Sequence, residues 1–90
     1  MTKEKTKIVV DVDEKESLLN RLILFNDEVN TFDFVIDSLV EVCNHNPMQA
    51  ENCAMIAHYK GRCSVKNGSL DELEPIHNIL SDRQLTVEIQ

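Results

Sequence analysis

Between Leu22 and Val35 the chain changes abruptly from one hydrophobic periodicity to another, and that change limits the folds open to it. Leu22-Ile23-Leu24-Phe25 is a continuous apolar run, the pattern of a strand covered on both faces or nearly so. The polar residues Asn26, Asp27 and Glu28 end it. Phe32, Val35, Ile36, Leu39, Val42 and Cys43 then recur at helical spacing, which predicts an amphipathic helix whose apolar face packs back toward the strand. Asn30 is of the residue type that caps helix N-termini, and Asp33 falls near the positive end of the helix dipole. The result is a rigid strand-to-helix corner carrying polar groups beside an apolar floor.

The first helix is expected over 31–43 and is closed by Asn44-His45-Asn46. Asn46, Pro47 and Gln49 have the form of a capping box with proline at the first helical position, so a second helix opens there. Its stripe of Ala50, Cys53, Ala54 and Ala57 is small enough for close approach to the first helix, and Gly61 supplies a left-handed stop. A second strand is expected over 62–66, with Asn67-Gly68 as a turn. Ser69 and Glu72 form another capping box, opening a third helix that turns Leu70, Leu73, Ile76 and Leu80 to the sheet. Pro75 inside that span predicts a bend or a start nearer Glu74. The closing run from Leu85 to Ile89 alternates with a period of two, as a half-buried antiparallel strand does. His45 and His77 are expected to face solvent. The order β-α-α-β-α-β predicts an α+β fold, a three-stranded antiparallel sheet with three helices packed on one face.

Residues 1–19 read as an N-terminal extension and 20–90 as the core domain. Within the extension, Ile8, Val9, Val10 and Val12 form a β-branched run suited equally to an edge strand or to an arm that orders on a partner. Ninety residues provide one small core, burying about 60–70% of the unfolded surface. A net charge of −7 opposes nucleic-acid binding and favours partners that are basic or carry a free ammonium. No apolar run approaches the ~20 residues of a membrane span, and the charged opening Met1-Thr2-Lys3-Glu4-Lys5 does not read as a secretory leader, so a cytoplasmic monomer is expected. The three cysteines, 43, 53 and 63, form no CxxC pair and suit reduced thiols. Cys53 and His58 are five apart, so a helix points them away from each other. Neither a metal, nor another cofactor, nor a cysteine nucleophile is expected, and the chain does not read as an enzyme.

The corner reads Asn26-Asp27-Glu28-Val29-Asn30-Thr31-Phe32-Asp33-Phe34-Val35. It resembles the signature of the ClpS adaptors, which runs Asn-Asp-Asp, a short turn with Thr and Pro, then Met-x-Phe-Val. A second match, His58-Tyr59-Lys60-Gly61, stands at the separation of that family's His-x-x-Gly. The resemblance covers roughly 21–90. It implies the same α+β fold and an adaptor that recognises the first residue of substrate proteins and hands them to a Clp-type AAA+ ATPase of a Clp protease.

By position, the resemblance makes Asn26 and His58 the partners of the substrate's α-amine and Asp27 the partner of the next peptide unit. That suits elementary chemistry, since an ammonium needs acceptors and its side chain needs an adjacent apolar hole. Phe32, Val35, Ala54 and Ala57 could line the hole. The family's bulky gate falls on Ala54 and its Met on Phe32, so N-terminal Phe, Leu, Tyr or Trp are the implied ligands, with room left for β-branched residues. Asp71 matches an acidic position through which the family docks on the ATPase, while Ile76 replaces a basic one. Taken singly, His58 reads as a helix-dipole partner and Asn26-Asp27 as turn chemistry. Together, at the family's separation, they favour a site. The competing reading is an interaction domain of the same fold that lacks an amino-terminal-residue pocket.

Overall fold

The central strand of the sheet, β1 (Asn20–Phe25), lies antiparallel to β2 (Arg62–Gly68) on one side and to β3 (Val87–Ile89) on the other. The computed structural model describes residues 19–90, so the strand or arm expected over 8–12 lies outside the described residues. Between the strands run α1 (Phe32–Cys43), α2 (Pro47–Lys60) and α3 (Leu70–Asp82), which gives the expected order β-α-α-β-α-β. Leu22 and Leu24 of β1 meet Leu39 of α1, Ala50 and Ala57 of α2, and Leu73 and Leu80 of α3 in one apolar core. Five of these leucines are essentially inaccessible to solvent, and each contributes roughly 1.5–3 kcal/mol of transfer free energy.

The helix ends follow the local sequence, with one exchange of roles. Thr31 rather than Asn30 caps α1, in extended geometry (φ −70°, ψ 156°), and its hydroxyl accepts from the Phe34 N–H at 3.1 Å. The side chain of Asn30 is drawn off to other partners, described below. At α2 the Asn46 carboxamide accepts from Gln49 N–H at 2.8 Å, with Pro47 at the first position. The α3 capping box forms in both directions between Ser69 and Glu72. That box starts α3 at Leu70 with Pro75 kept inside it; the proline forfeits one backbone hydrogen bond, and the helix neither begins later nor breaks there. α3 ends in a Schellman arrangement: Gln84 N–H donates to Ser81 O at 2.9 Å and Leu85 N–H to Leu80 O at 3.1 Å, with Gln84 left-handed at φ 72°.

The pairing departs from expectation in three places. β2 runs on through Asn67 and Gly68, which pair with Arg21 and Asn20 instead of turning the chain. β3 begins at Val87, and Leu85 is instead a buried core residue at the end of the Schellman turn. Between Leu22 and Ile23 the register jumps from Lys66 to Ser64, leaving Val65 as the extra residue of a bulge. His45, expected in solvent, is 5% exposed and donates from Nε2 to the Val65 carbonyl at 2.7 Å. The bulge and the turn after α1 therefore hold each other. His77 is half-buried, with Nδ1 3.1 Å from Asn78 Oδ1. In the C-terminal half of α1, Glu41 bonds Arg83 at 2.8 Å and the buried Ser38 hydroxyl accepts from Arg83 at 3.3 Å, tying α1 to the end of α3.

Candidate functional site

The backbone N–H of Asn26, the first residue beyond β1, donates to the Gly61 carbonyl at 2.9 Å, one step past the Phe25–Arg62 pair. Gly61 is the left-handed cap of α2 (φ 94°), and its own N–H returns to Ala57 O at 2.9 Å. His58 lies in the last turn of α2, just before that reversal. Antiparallel pairing of β1 with β2 thus sets the β1–α1 corner beside the C-terminal end of α2, although 32 positions separate Asn26 from His58 in the chain.

Between these two corners opens a cavity of about 440 Å³, within the usual range of small-ligand pockets. Asn26, Asp27, Glu28, Asn30 and His58 supply its polar lining, and Leu24, Phe25, Phe32, Val35, Ala54 and Ala57 its apolar lining. All seven residues expected from sequence to bind an amine or a side chain meet in this one space. Leu24, Phe25, Glu28 and Asn30 were not singled out for the site. Their sequence pattern marks the first two as strand, Glu28 as corner and Asn30 as a helix cap. Asp71 is exposed in the first turn of α3 and does not line the cavity.

On the α2 side the apolar wall is made by small side chains. Ala54 and Ala57 are 4% and 3% exposed, and their single methyl groups do not extend across the hollow. Phe32 remains 41% exposed on the facing helix. His58 is exposed, and its ring meets Tyr59 edge-on at 4.9 Å.

Asp27 organises the rim. Its Oδ1 accepts from the backbone N–H groups of Val29 at 3.0 Å and Asn30 at 2.9 Å, and Nδ2 of Asn30 lies 3.2 Å from Oδ1 and 3.0 Å from Oδ2. Burial acts to raise its pKa, but donation from the backbone and side chain of Asn30 and from the Val29 and Thr86 backbones outweighs this, holding the carboxyl below its ordinary value. Asp27 is therefore an ionised acceptor fixed in place.

Burial keeps two of the three thiols protonated at neutral pH. Burial pushes Cys43 up to about 11, and burial together with the neighbouring Cys63 pushes Cys53 up to about 12. All three are free thiols, and among the described residues no cluster of His, Cys, Asp and Glu is arranged to hold a metal. A second hollow, lined by Asn44, His45, Gln49, Ser64, Lys66 and Asn67 among others, is mostly polar and offers no comparable apolar wall. Among the described residues no helix is long and apolar enough to cross a membrane.

A three-stranded antiparallel sheet backed by three helices, with a polar-rimmed apolar cavity between the first corner and the second helix, makes up a small α+β domain of the adaptor type. The family model "ATP-dependent Clp protease adaptor protein ClpS" matches residues 15–88, and the chain belongs to that family of Clp protease adaptors. It is 29% identical over 69 residues to the ATP-dependent Clp protease adapter protein ClpS of Nitratidesulfovibrio vulgaris (strain Miyazaki F), covering 74% of this chain and 69% of the relative. The solved structure of Agrobacterium tumefaciens ClpS2 bound to L-phenylalaninamide superposes with a TM-score of 0.76 at 22% identity, over 80% of this chain and 94% of that one. At that identity the superposition speaks for the fold.

Proposed function

We propose that the chain is an adaptor that binds the bulky hydrophobic first residue of substrate proteins and delivers them to the AAA+ ATPase of a Clp protease. The observation that carries this reading is the meeting of Asn26, Asp27 and His58 at the rim of a hollow walled by Phe32, Val35, Ala54 and Ala57. An α-ammonium presents three donors and no acceptor; the Asn26 carboxamide oxygen and a neutral His58 imidazole can meet it, and the Asp27 carboxylate can accept from the N–H of the next peptide unit. The side chain of the same residue enters the apolar space, where burial rewards size. The A. tumefaciens protein of the same fold, solved with L-phenylalaninamide, supports an amine-bearing aromatic ligand.

Fluorescence anisotropy with peptides differing only at residue one tests the reading. Phe-, Leu-, Tyr- and Trp-initiated peptides should bind, and acetylating the α-amine should abolish binding. Affinity indifferent to acetylation refutes amine recognition. Delivery is tested by capture of a Clp ATPase N-terminal domain, with Asp71→Lys, exposed on α3, expected to weaken it. Unimpaired capture by that variant removes Asp71 from the docking surface.

A further inference from the structure

We infer that Asn30 is the positioning residue of this site, a brace that fastens the amine-facing corner to the turn between α3 and β3. The inference rests on the proposed function and names a residue on which that reading does not depend. The side chain of Asn30 spans two partners far apart in sequence. Its Nδ2 donates to Asp27 at 3.0 Å and to the backbone carbonyl of Gln84 at 2.8 Å, while its own backbone N–H donates to Asp27 at 2.9 Å. One carboxamide thus joins the ionised rim carboxylate to the end of the Schellman turn that closes α3.

A second tether runs alongside. The Phe25 N–H donates to Thr86 O at 2.9 Å. The corner is thereby fastened to 84–86 on one side and, through Asn26 N–H, to Gly61 on the other. Hydrogen bonds to a charged acceptor are the stronger kind, and a carboxylate held by donors of its own loop is fixed in direction while Oδ2, with one partner, keeps room for a ligand donor. Glu28 and Val29, which lie between these anchors, are exposed, so the corner has little packing to hold it in place. Its geometry depends on Asn30.

The consequence is a division of labour. Asn26 and His58 face the amine, Asp27 the peptide unit behind it and the wall residues the side chain, and Asn30 sets where the polar corner stands relative to the wall. Removing the Asn30 carboxamide should weaken amine capture without changing which side chains the hollow prefers.

The experiment pairs Asn30→Ala with wild type in two measurements. In the first, anisotropy gives affinities for Phe- and Leu-initiated peptides with free amines. Affinity for both is expected to fall about tenfold, the size of losing one hydrogen bond to a charged group, with the Phe-to-Leu ratio unchanged. In the second, carboxyl-carbon NMR follows Asp27 through its titration without ligand, where the variant should titrate at higher pH than wild type. Wild-type affinity in the variant, a shifted Phe-to-Leu ratio, or an unmoved Asp27 titration each overturns the brace. If wild type binds neither peptide the proposed function fails, and the Asp27 titration still decides whether Asn30 holds that carboxylate.

Discussion

The Asn26 N–H donates to the Gly61 carbonyl at 2.9 Å, and this bond joins the strand-to-helix corner to the end of the helix that carries His58. Gly61 can make it because its φ of 94° turns the chain out of α2 and directly into β2. A Cβ added at Gly61 meets nothing within 4 Å, so the penalty for alanine there is conformational rather than steric against neighbours. Gly61→Ala should cost about 1–2 kcal/mol, read as a lower urea midpoint with unchanged slope. Stability equal to wild type would show that the left-handed cap can be replaced without strain.

The Asp27 carboxyl is held below its ordinary value of 3.8, so its ionised form is favoured in the folded state. Its contribution to stability is therefore fully present above the unfolded value and is lost as pH falls through the lower folded value. Asp27→Asn should be less stable than wild type at neutral pH, and the difference should shrink below about pH 3.8. Urea titrations of both proteins from pH 6 to pH 2 read this out. A difference independent of pH would mean that the carboxylate's charge plays no part.

Gln84 carries a left-handed φ of 72° without being glycine. Its backbone N–H and carbonyl do the work, bonding Ser81 and Asn30, so glycine at this position keeps both contacts and relieves the strain. Gln84→Gly is expected to stabilise the fold by up to about 1 kcal/mol. In a domain of this size that raises the melting temperature by about 4–8 °C. A lower melting temperature would show that the glutamine side chain contributes more than its backbone strain costs.

Cys43 and Cys53, with thiols raised to about 11 and about 12, are protonated at neutral pH and poor nucleophiles. Iodoacetamide at pH 7.5 should modify both far more slowly in the folded protein than in urea, as counted by intact mass. Equal rates in the two states would place either thiol in a more open environment than its burial allows.

Much of this architecture follows from local chemistry. The apolar run at Leu22–Phe25, the small-residue stripe from Ala50 to Ala57, and the caps at Asn46, Gly61 and Ser69 each depend on residues a few positions apart. Neighbouring residues therefore report them directly. Predictions erred where a residue had a choice of partners. Asn30 has the chemistry of a helix cap, but Gln84, 54 positions away, offered its side chain a better use and left the cap to Thr31. His45 looked like a loop residue because no local pattern announces the bulge whose Val65 carbonyl holds it. Pro75 looked like a break, yet the capping box and the burial of Leu73 and Leu80 outweigh one lost hydrogen bond.

What the chain determined unaided was the set of elements, their ends and their apolar faces, because short-range hydrogen bonds and side-chain periodicity fix those. Local chemistry alone gives the seven expected binding residues as two separate groups, joined into one site only by the resemblance to the ClpS adaptors. Their meeting around one cavity, with Asn30 tied to Gln84 behind it, was decided by strand pairing that closes over dozens of residues. Such contacts form only when the whole sheet is in register, and no stretch of sequence contains that register by itself.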